Sequence, residues 1–209
     1  MIEVHHLNNS RSQRVLWMLE ELGVPYTVVR YERDPKTILA PPELKKVHSL
    51  GKSPVIRDGD FVLAESGAII EYLAEKYGNG RFVPQRGTRE YETCRYWVHY
   101  AEGSLMMQLL VKIYLDRVGE PAKALLERVS GAVRMHLGYV EESLGSSQFL
   151  TGSAFTVADV QMSFPLEVCV AQGMLGEAHP RLKALLARLH ERPAYQAALA
   201  KGGPYAYAK

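Results

Sequence analysis

The chain has 209 residues, of which 47% are hydrophobic and 23% charged, and its formal net charge is +2 at pH 7. This composition is typical of a globular protein with one large or two small domains. Because the net charge is small and basic residues are dispersed among acidic ones, the sequence argues against binding to nucleic acid or to an anionic membrane. No apolar run approaches the roughly 18 residues of a membrane-spanning helix, and the N-terminus lacks the features of a secretory signal.

The two cysteines indicate whether the protein belongs to a reducing or an oxidising compartment. Cys94 and Cys169 are far apart, and neither belongs to a Cys-x-x-Cys or Cys/His ligand pattern. The sequence therefore predicts a reduced protein of the cytoplasm with no metal site.

The first 80 residues combine strand and helix signals in a regular order. A strand, a helix and a strand are followed by an irregular stretch with one short helix, then by a hairpin through Asp58-Gly59 and a final helix. This order, βαβ followed by ββα, predicts a four-stranded sheet with one parallel crossover. The predicted elements are strands at 2–7 and 26–31, helices at 15–23 and near 43–47, hairpin strands at 55–56 and 61–63, and a helix that follows Ser66 and has its apolar residues between 68 and 77.

Beyond Pro84 the strand signals end. Long helical patterns run from about residue 88 to 115, from 121 to 144, and onward to the C-terminus. The sequence thus predicts an α/β domain over residues 1–80, a linker at 81–87 and an all-α domain over residues 88–209.

Within the helical part, Thr156-Val157-Ala158-Asp159 has the spacing of a capping box, with Thr156 as N-cap and Asp159 as its partner three residues on. We expect this box to act in folding and not in catalysis. Asp159→Ala should then lower stability by roughly 1 kcal/mol or more while leaving ligand affinity nearly unchanged.

Glu65 and Ser66 stand where the hairpin meets the last helix of the first domain. Ser66 is a good N-cap candidate, and Gly78 follows the last apolar residue as a helix-ending glycine does. A helix N-terminus with a serine hydroxyl binds a carboxylate well, and Glu65 beside it can hold an ammonium group. Together they indicate a clamp for the α-amino-acid end of a small molecule.

This segment, with Ser-Pro-Val at 53–55, the hairpin, Glu65-Ser66 and the helix, resembles the glutathione-binding half of the cytosolic glutathione S-transferases. The family has a thioredoxin-like N-terminal domain followed by an all-α domain, which is similar to the order predicted here over essentially the full length. The resemblance implies a cis-proline at Pro54, backbone pairing of Val55 with the cysteinyl part of glutathione, and binding of the γ-glutamyl group by Glu65 and Ser66.

Lys52 and Ser53 precede this proline. The resemblance makes both candidate glutathione contacts. For Lys52 two interpretations remain open, a contact with the glycine carboxylate of glutathione or a solvated lysine beside a turn.

Glutathione transfer requires a thiolate, whereas a free thiol has a pKa of about 8.5. Lowering that pKa by roughly two units requires about 2.7 kcal/mol. One hydrogen bond to a charged acceptor supplies about 1.5 to 3 kcal/mol, and a helix N-terminus adds about 0.3 to 1 kcal/mol. A single donor at the start of the first helix is therefore nearly sufficient.

The segment between the first strand and the first helix holds the candidate donors. Ser10 with Arg14 is similar to the Ser-x-x-x-Arg arrangement of serine-type transferases. The loop therefore resembles that of a bacterial, serine-type member of the family. Tyrosine-type members have a tyrosine on the strand, where this chain has His5 and His6, expected to point one inward and one outward. Redox-active relatives have a cysteine near Ser10, but none occurs in residues 1–93.

Ser10 also has a structural interpretation. Ser10-Arg11-Ser12-Gln13 is itself a Ser-x-x-Gln capping box, so that Ser10 would only cap the helix. In that case the side-chain NH₂ of Asn9, or a backbone N–H group, would hold the thiolate.

The resemblance places the electrophile over the sulfur, against the long first helix of the second domain. Tyr100, Ser104 and Met107 lie there at approximately i, i+4 spacing, between Tyr96 and Tyr114. A stripe of this kind is more often part of a core than of a pocket, but Met and Tyr suit a loosely selective apolar site. The tail at 202–207 is expected to fold back as part of that wall.

The resemblance implies a homodimeric detoxification enzyme that conjugates glutathione to small hydrophobic electrophiles, with peroxide reduction as a side activity and no metal. Two alternatives remain. One is a glutathione-dependent disulfide-bond reductase that uses Asn9 or Ser10 and no protein cysteine. The other is a non-catalytic ligand carrier on the same fold.

Overall fold

The computed structural model describes residues 1–208, which form two compact units: residues 1–84 together with 190–208, and residues 85–189. The first unit contains strands β1 (Ile2–Leu7), β2 (Tyr26–Tyr31), β3 (Val55–Asp58) and β4 (Phe61–Ala64), helices α1 (Ser12–Leu22), α2 (Ser66–Tyr77) and α8 (Pro193–Gly202), and a 3-10 helix (Pro42–Lys46). The second contains helices α3 (Arg89–Tyr100), α4 (Met107–Val118), α5 (Lys123–Leu144), α6 (Val157–Ala171) and α7 (Pro180–His190), a π-helical segment (Ala101–Met106) and a 3-10 turn (Glu120–Ala122).

The sheet has the strand order β2-β1-β3-β4. β1 pairs with β2 in parallel and with β3 antiparallel, and β3 and β4 form an antiparallel hairpin. The hairpin is closed by Gly59 and Asp60, and Gly59 takes a φ of 65° that suits glycine. The predicted thioredoxin-like sheet with one parallel crossover is confirmed.

The central strand β1 is covered on both faces. His5 and His6 are only 4% and 3% exposed. The expectation that one of them points outward is therefore wrong, because an interior strand covered on both faces buries successive side chains, which alternate between those faces. His5 lies against Tyr31, with its Nδ1 2.9 Å from the tyrosine hydroxyl.

The C-terminal helix groups with the first unit, which differs from the expected division into 1–80, 81–87 and 88–209. Helix α8 packs on α1, where the buried Tyr195 meets the edge of Trp17 with ring centroids 5.1 Å apart. Arg192 makes two hydrogen bonds to the Glu21 carboxylate, at 2.5 and 2.8 Å. An apolar face and a bidentate ion pair thus hold α8 to α1.

The second unit has α6 at its core, with nearly every side chain from Val157 to Cys169 buried. The predicted capping box at its start is formed. The Thr156 side chain accepts from the Ala158 N–H at 3.3 Å, and the Asp159 carboxylate accepts from the Thr156 N–H at 2.9 Å. The second carboxylate oxygen accepts from the Leu150 N–H at 2.9 Å, so Asp159 also fixes the preceding loop.

Candidate functional site

The loop between β1 and α1 is fixed by a cation from the segment after β2. The Arg33 N–H donates to Asn8 Oδ1 at 2.9 Å, and the Arg33 guanidinium donates to the carbonyls of Asn8 and Asn9 at 3.2 and 3.4 Å. Asn9 has a φ of 49°, a left-handed conformation that asparagine tolerates better than most residues. These contacts hold the Asn9 backbone at the end of the sheet.

Ser10, the predicted serine donor, is buried and lies in a hydrogen-bonded chain with Ser12 and His6. Ser10 Oγ is 2.7 Å from Ser12 Oγ and accepts from the Ser12 N–H at 3.2 Å. Ser12 Oγ is in turn 2.8 Å from His6 Nδ1, with the Leu7 carbonyl farther away at 3.2 Å. We call this chain the His6–Ser12–Ser10 relay.

The protonation state of His6 determines the direction of the relay. Burial and the nearby Arg30 lower the pKa of His6 to about 4, against an opposing hydrogen bond to the backbone of Gly202, so the ring is neutral at physiological pH. A neutral imidazole has one N–H. With that hydrogen directed at Gly202, Nδ1 is an acceptor, and the Ser12 hydroxyl faces two acceptors, His6 Nδ1 and the Leu7 carbonyl. Donation from Ser12 to either of them favours donation from the Ser10 hydroxyl to Ser12 Oγ. This direction engages the Ser10 hydrogen within the relay.

The alternative capping box at Ser10 is not formed. Arg11 occupies the N-cap position of α1 without a side-chain cap. The Ser10 hydroxyl accepts from the Ser12 N–H, and the Gln13 N–H donates to the Ser10 backbone carbonyl at 3.2 Å. Gln13 is 2% exposed, and neither atom of its side-chain amide has a hydrogen-bond partner within residues 1–208. The box does not form because the Ser10 hydroxyl is bonded to the Ser12 N–H and the Ser12 hydroxyl instead. Arg14, the other half of the serine-type pattern, is buried within α1.

Asn9, the other candidate donor, is half-buried, and its carboxamide has a defined orientation. Asn9 Oδ1 accepts from the backbone N–H of Ala206 at 2.7 Å. Since an N–H group must face the oxygen, the side-chain NH₂ points the other way and is a donor for a third group. The tail at 202–207, expected as part of the electrophile wall, thus makes a contact with the β1–α1 loop of the first unit.

Pro54 follows a cis peptide bond after Ser53, as expected. The Ser53 hydroxyl bridges two backbone groups of β1, donating to the His5 carbonyl at 2.9 Å and accepting from the Leu7 N–H at 3.2 Å. The start of β3 is thereby attached to β1 immediately before the loop that carries Asn9. Val55, the first residue of β3, is fully buried, whereas Lys52 is exposed.

Glu65 and Ser66 lie at the start of α2, but their roles in the helix differ from the expectation. Glu65 is the N-cap residue, without a side-chain cap, and the buried Ser66 is the first helical residue. The exposed Glu65 has a φ of 70°, a conformation that costs a non-glycine residue about 1 to 3 kcal/mol and is concentrated at functional sites. The first N–H groups of α2 have no acceptor within the helix.

Gly78 ends α2 for a different reason from the one expected. Its φ of −81° is right-handed, so the glycine is not required for a left-handed cap. A Cβ atom there would collide with the carbonyl oxygen of Ala74, and the glycine is needed for space.

Asp58 attaches the hairpin to α2. Its Oδ2 accepts from Tyr72 at 2.8 Å, Lys76 at 2.7 Å and Tyr77 at 2.5 Å. These bonds, led by the one from Lys76, lower the Asp58 pKa to about 2. These hydrogen bonds hold α2 against the hairpin and so fix the direction of its N-terminus.

The predicted electrophile contacts lie in the second unit. Tyr100 is buried, with its hydroxyl 2.5 Å from His136 Nδ1, while Ser104 is half-buried in the π-helical segment and Met107 is 50% exposed. A π-helical turn holds more residues than an α-helical one, so it rotates the side chains that follow. The regular stripe expected from i, i+4 spacing is therefore interrupted between Tyr100 and Met107.

Among residues 1–208, no group of three or more His, Cys, Asp or Glu side chains could hold a metal ion. Within the same range, no helix is long and apolar enough to cross a membrane.

Three groups at this site were not identified from the sequence: Ser12, Arg33 and the Ala206 N–H. Ser12 lies two residues from Ser10, and the polar pair could have signalled a local hydrogen bond. Arg33 and Ala206 reach the loop only through the tertiary fold, and no sequence signal points to either.

Comparisons with known proteins identify the family. Residues 10–76 match the glutathione S-transferase N-terminal domain, and residues 103–193 match the C-terminal domain. Glutathione S-transferase 3 of Schizosaccharomyces pombe is 33% identical over 96% of this chain and 88% of its own length, and glutathione S-transferase 1 of Saccharomyces cerevisiae is 30% identical over 96% and 95%.

Solved structures agree. A glutathione S-transferase from Actinobacillus pleuropneumoniae matches with a TM-score of 0.89 and 33% identity over 100% of this chain and 96% of its own. A glutathione transferase family member from Pseudomonas fluorescens with two glutathione molecules bound matches with a TM-score of 0.80 and 26% identity over 95% and 92%. Together with the cis-proline and the α2 N-terminus, these matches show that the chain belongs to the cytosolic glutathione S-transferase family.

Proposed function

We propose that the protein is a transferase that conjugates the thiolate of glutathione to small hydrophobic electrophiles, with peroxide reduction as a side activity. The observation that carries the proposal is the placement of cis-Pro54 beside β1, immediately next to the loop whose Asn9 side chain presents a donor. We propose further that it acts in detoxification, in the cytoplasm and as a homodimer. No metal is required, because the protein only binds glutathione, stabilises its thiolate and orients it.

The glutathione subsite that we propose is built on β3 and α2. Val55 would pair its backbone with the cysteinyl part of the tripeptide, beside Ser53 and Pro54. The N-terminus of α2, with Ser66, would bind the γ-glutamyl carboxylate, and the exposed Glu65 would bind its ammonium group. The exposed Lys52 would meet the glycine carboxylate.

Asn9 is the thiolate donor that the hydrogen-bond pattern favours over Ser10. In the favoured direction of the relay the Ser10 hydroxyl donates to Ser12, whereas no acceptor of the Asn9 NH₂ is found among residues 1–208. A carboxamide hydrogen bond to a charged sulfur supplies about 1.5 to 3 kcal/mol, which is the amount that a two-unit fall in thiol pKa requires.

Tyr100, Ser104 and Met107 are the proposed contacts of the electrophile. The Tyr100 hydroxyl is occupied by His136, and burial raises the pKa of the phenol. We therefore propose that Tyr100 contributes its ring and not a proton. The exposed Met107 offers a flexible apolar contact of the kind that accepts varied substrates.

A second candidate activity is reduction of glutathione mixed disulfides. A glutathione transferase from Phanerochaete chrysosporium, 27% identical over 96% of both chains with a TM-score of 0.81, was solved in complex with oxidized glutathione. A related site in this chain would bind both sulfur atoms of a glutathione mixed disulfide. The reduction would use no protein cysteine there, since residues 1–93 contain none.

The test combines binding with turnover. We expect the ultraviolet absorbance of bound glutathione to report a thiol pKa well below 8.5, and turnover of an aryl halide to exceed that of a mixed disulfide. A mixed-disulfide rate that is higher by orders of magnitude would establish the reductase instead. Protein that binds no glutathione thiolate and turns over neither substrate would be a carrier.

A further inference from the structure

The segment after α8, residues 203–208, crosses the first unit to the β1–α1 loop, and we call it the C-terminal tail. It begins at Gly203, whose φ of 80° suits glycine. A Cβ atom at Gly203 would collide with the guanidinium of Arg30, which lies opposite His6 in the β1–β2 register. The positive φ is the main reason for a glycine where the chain leaves α8, since the arginine side chain is flexible and could move aside.

The tail reaches Asn9 through a backbone group. The Ala206 N–H donates to Asn9 Oδ1 at 2.7 Å, a short bond for an amide donor. Ala206 itself is exposed, and its side chain adds nothing to the core. The contact is thus a directional hydrogen bond and not a packing contact.

A carboxamide has an acceptor on one arm and two donors on the other, and a half-turn about its last torsion exchanges them. A thiolate is stabilised by the NH₂ arm and repelled by the oxygen. The Ala206 N–H selects between these orientations, because the inverted carboxamide would set NH₂ against N–H.

We infer that the C-terminal tail is a positioning element for the thiolate donor, in which the Ala206 N–H holds Asn9 with its NH₂ directed at the glutathione sulfur. The inference rests on the proposed function for the identity of the bound sulfur. The tail acts through Asn9 and touches no reacting atom.

The tail acts on the ionised form of glutathione more than on its affinity. In the proposed function, the tripeptide is bound mainly by groups on β3 and α2. The hydrogen bond of the Ala206 N–H goes to the β1–α1 loop and not to either element. Loss of the Ala206 N–H should therefore raise the pKa of bound glutathione by about half a unit to one unit, a threefold to tenfold change in ionisation. The dissociation constant at low pH should change less than twofold.

The experiment compares Ala206→Pro, which removes the N–H, with Ala208→Pro two residues on, whose N–H donates to no described residue. A chain that ends after Pro204 provides a second removal without a new proline. The thiol pKa of bound glutathione should rise in Ala206→Pro and in the shortened chain but not in Ala208→Pro. In an Asn9→Ala background, Ala206→Pro should add nothing, because a tail that acts only through Asn9 has no further effect once Asn9 is gone.

A second readout does not need glutathione. The side-chain ¹⁵N–¹H₂ signals of Asn9, assigned by their loss in Asn9→Ala, should shift in Ala206→Pro and in the shortened chain, and stay in place in Ala208→Pro. If these signals do not move, or if Ala206→Pro still raises the thiol pKa without Asn9, the inference is wrong. Failure of the wild-type protein to bind glutathione would refute the proposed function, while the Asn9 signals would still decide whether the tail orients the side chain.

Discussion

Two helix starts in this chain share a sequence pattern and reach different structures. Thr156-Val157-Ala158-Asp159 forms the capping box that its spacing predicts, whereas Ser10-Arg11-Ser12-Gln13 does not. The Asp159 carboxylate accepts two backbone N–H groups, and no other side chain in the loop displaces it. At the other start, the Ser10 hydroxyl is bonded to Ser12, whose hydroxyl is in turn bonded to His6.

The comparison shows when the spacing of a capping box is enough to predict that the cap forms. A cap forms when its two members are each other's best partners, as they are at α6. In the β1–α1 loop, the neighbouring Ser12 binds the Ser10 hydroxyl. Arg33 and Ala206, from distant parts of the chain, bind Asn8 and Asn9 and leave the Asn9 NH₂ available.

Asp159→Ala should break the α6 start with the largest loss of stability. It removes the cap and leaves the buried Leu150 N–H without its acceptor, which together cost about 3 kcal/mol. Urea denaturation measures the free energy of unfolding, and the affinity for glutathione should stay within about twofold. A variant of normal stability that had lost glutathione binding would refute a purely structural role.

The two starts should also respond to pH with opposite signs. Burial raises the pKa of Asp159 to about 6, so the folded protein binds this proton more tightly and the contribution to stability falls as pH rises from about 4 to 6. The pKa of His6 is lowered to about 4, so the unfolded chain binds that proton more tightly, and stability is lost as pH falls from about 6.5 to 4.

Variants that lack one of the two ionisable groups test this opposite pH dependence of stability. Between pH 7 and pH 4.5, His6→Gln should lose less stability than wild type, and Asp159→Asn should lose more. Each difference should be about 2 kcal/mol, since a shift of about two pKa units corresponds to roughly 3 kcal/mol over the full range. Equal pH profiles for the two variants would contradict the assigned protonation states.

Gly202→Ala tests the close packing beneath the relay. The added Cβ would lie 2.9 Å from Gln13 Oε1, 3.0 Å from Leu16 Cδ1 and 3.4 Å from His6 Cε1. Overpacking of this kind costs about 1 to 2 kcal/mol. The matched control is Gly138→Ala in α5, where a Cβ meets open space and should stabilise the helix by about 0.5 to 1 kcal/mol. Thermal unfolding distinguishes the two, and a loss of the same size in both variants would contradict the packing argument.

Much of the fold follows from local pattern. The four strands, the crossover and the box at Thr156 depend on spacing within about ten residues, and all were predicted. The π-helical segment was not, because its residues have ordinary helical character and the extra residue in the turn leaves no mark in the sequence.

The candidate site was predictable only in outline. The cis-proline and the α2 N-terminus lie in one continuous segment, and the family resemblance located them. The preference for Asn9 over Ser10 depends on Gly202 beside His6 and on Ala206 beside Asn9, contacts that join residues almost 200 positions apart. Local spacing contains no information about them.

The most direct test is the pKa of the glutathione thiol bound to Asn9→Ala and to Ser10→Ala, followed by ultraviolet absorbance. Asn79→Ala is the matched control, because Asn79 has the same φ of 49° as Asn9 but lies in the turn after α2. We expect the thiol pKa to rise by about one unit or more in Asn9→Ala, with smaller changes in Ser10→Ala and none in the control. A thiolate that is lost in Ser10→Ala and retained in Asn9→Ala would show that Ser10, and not Asn9, is the donor.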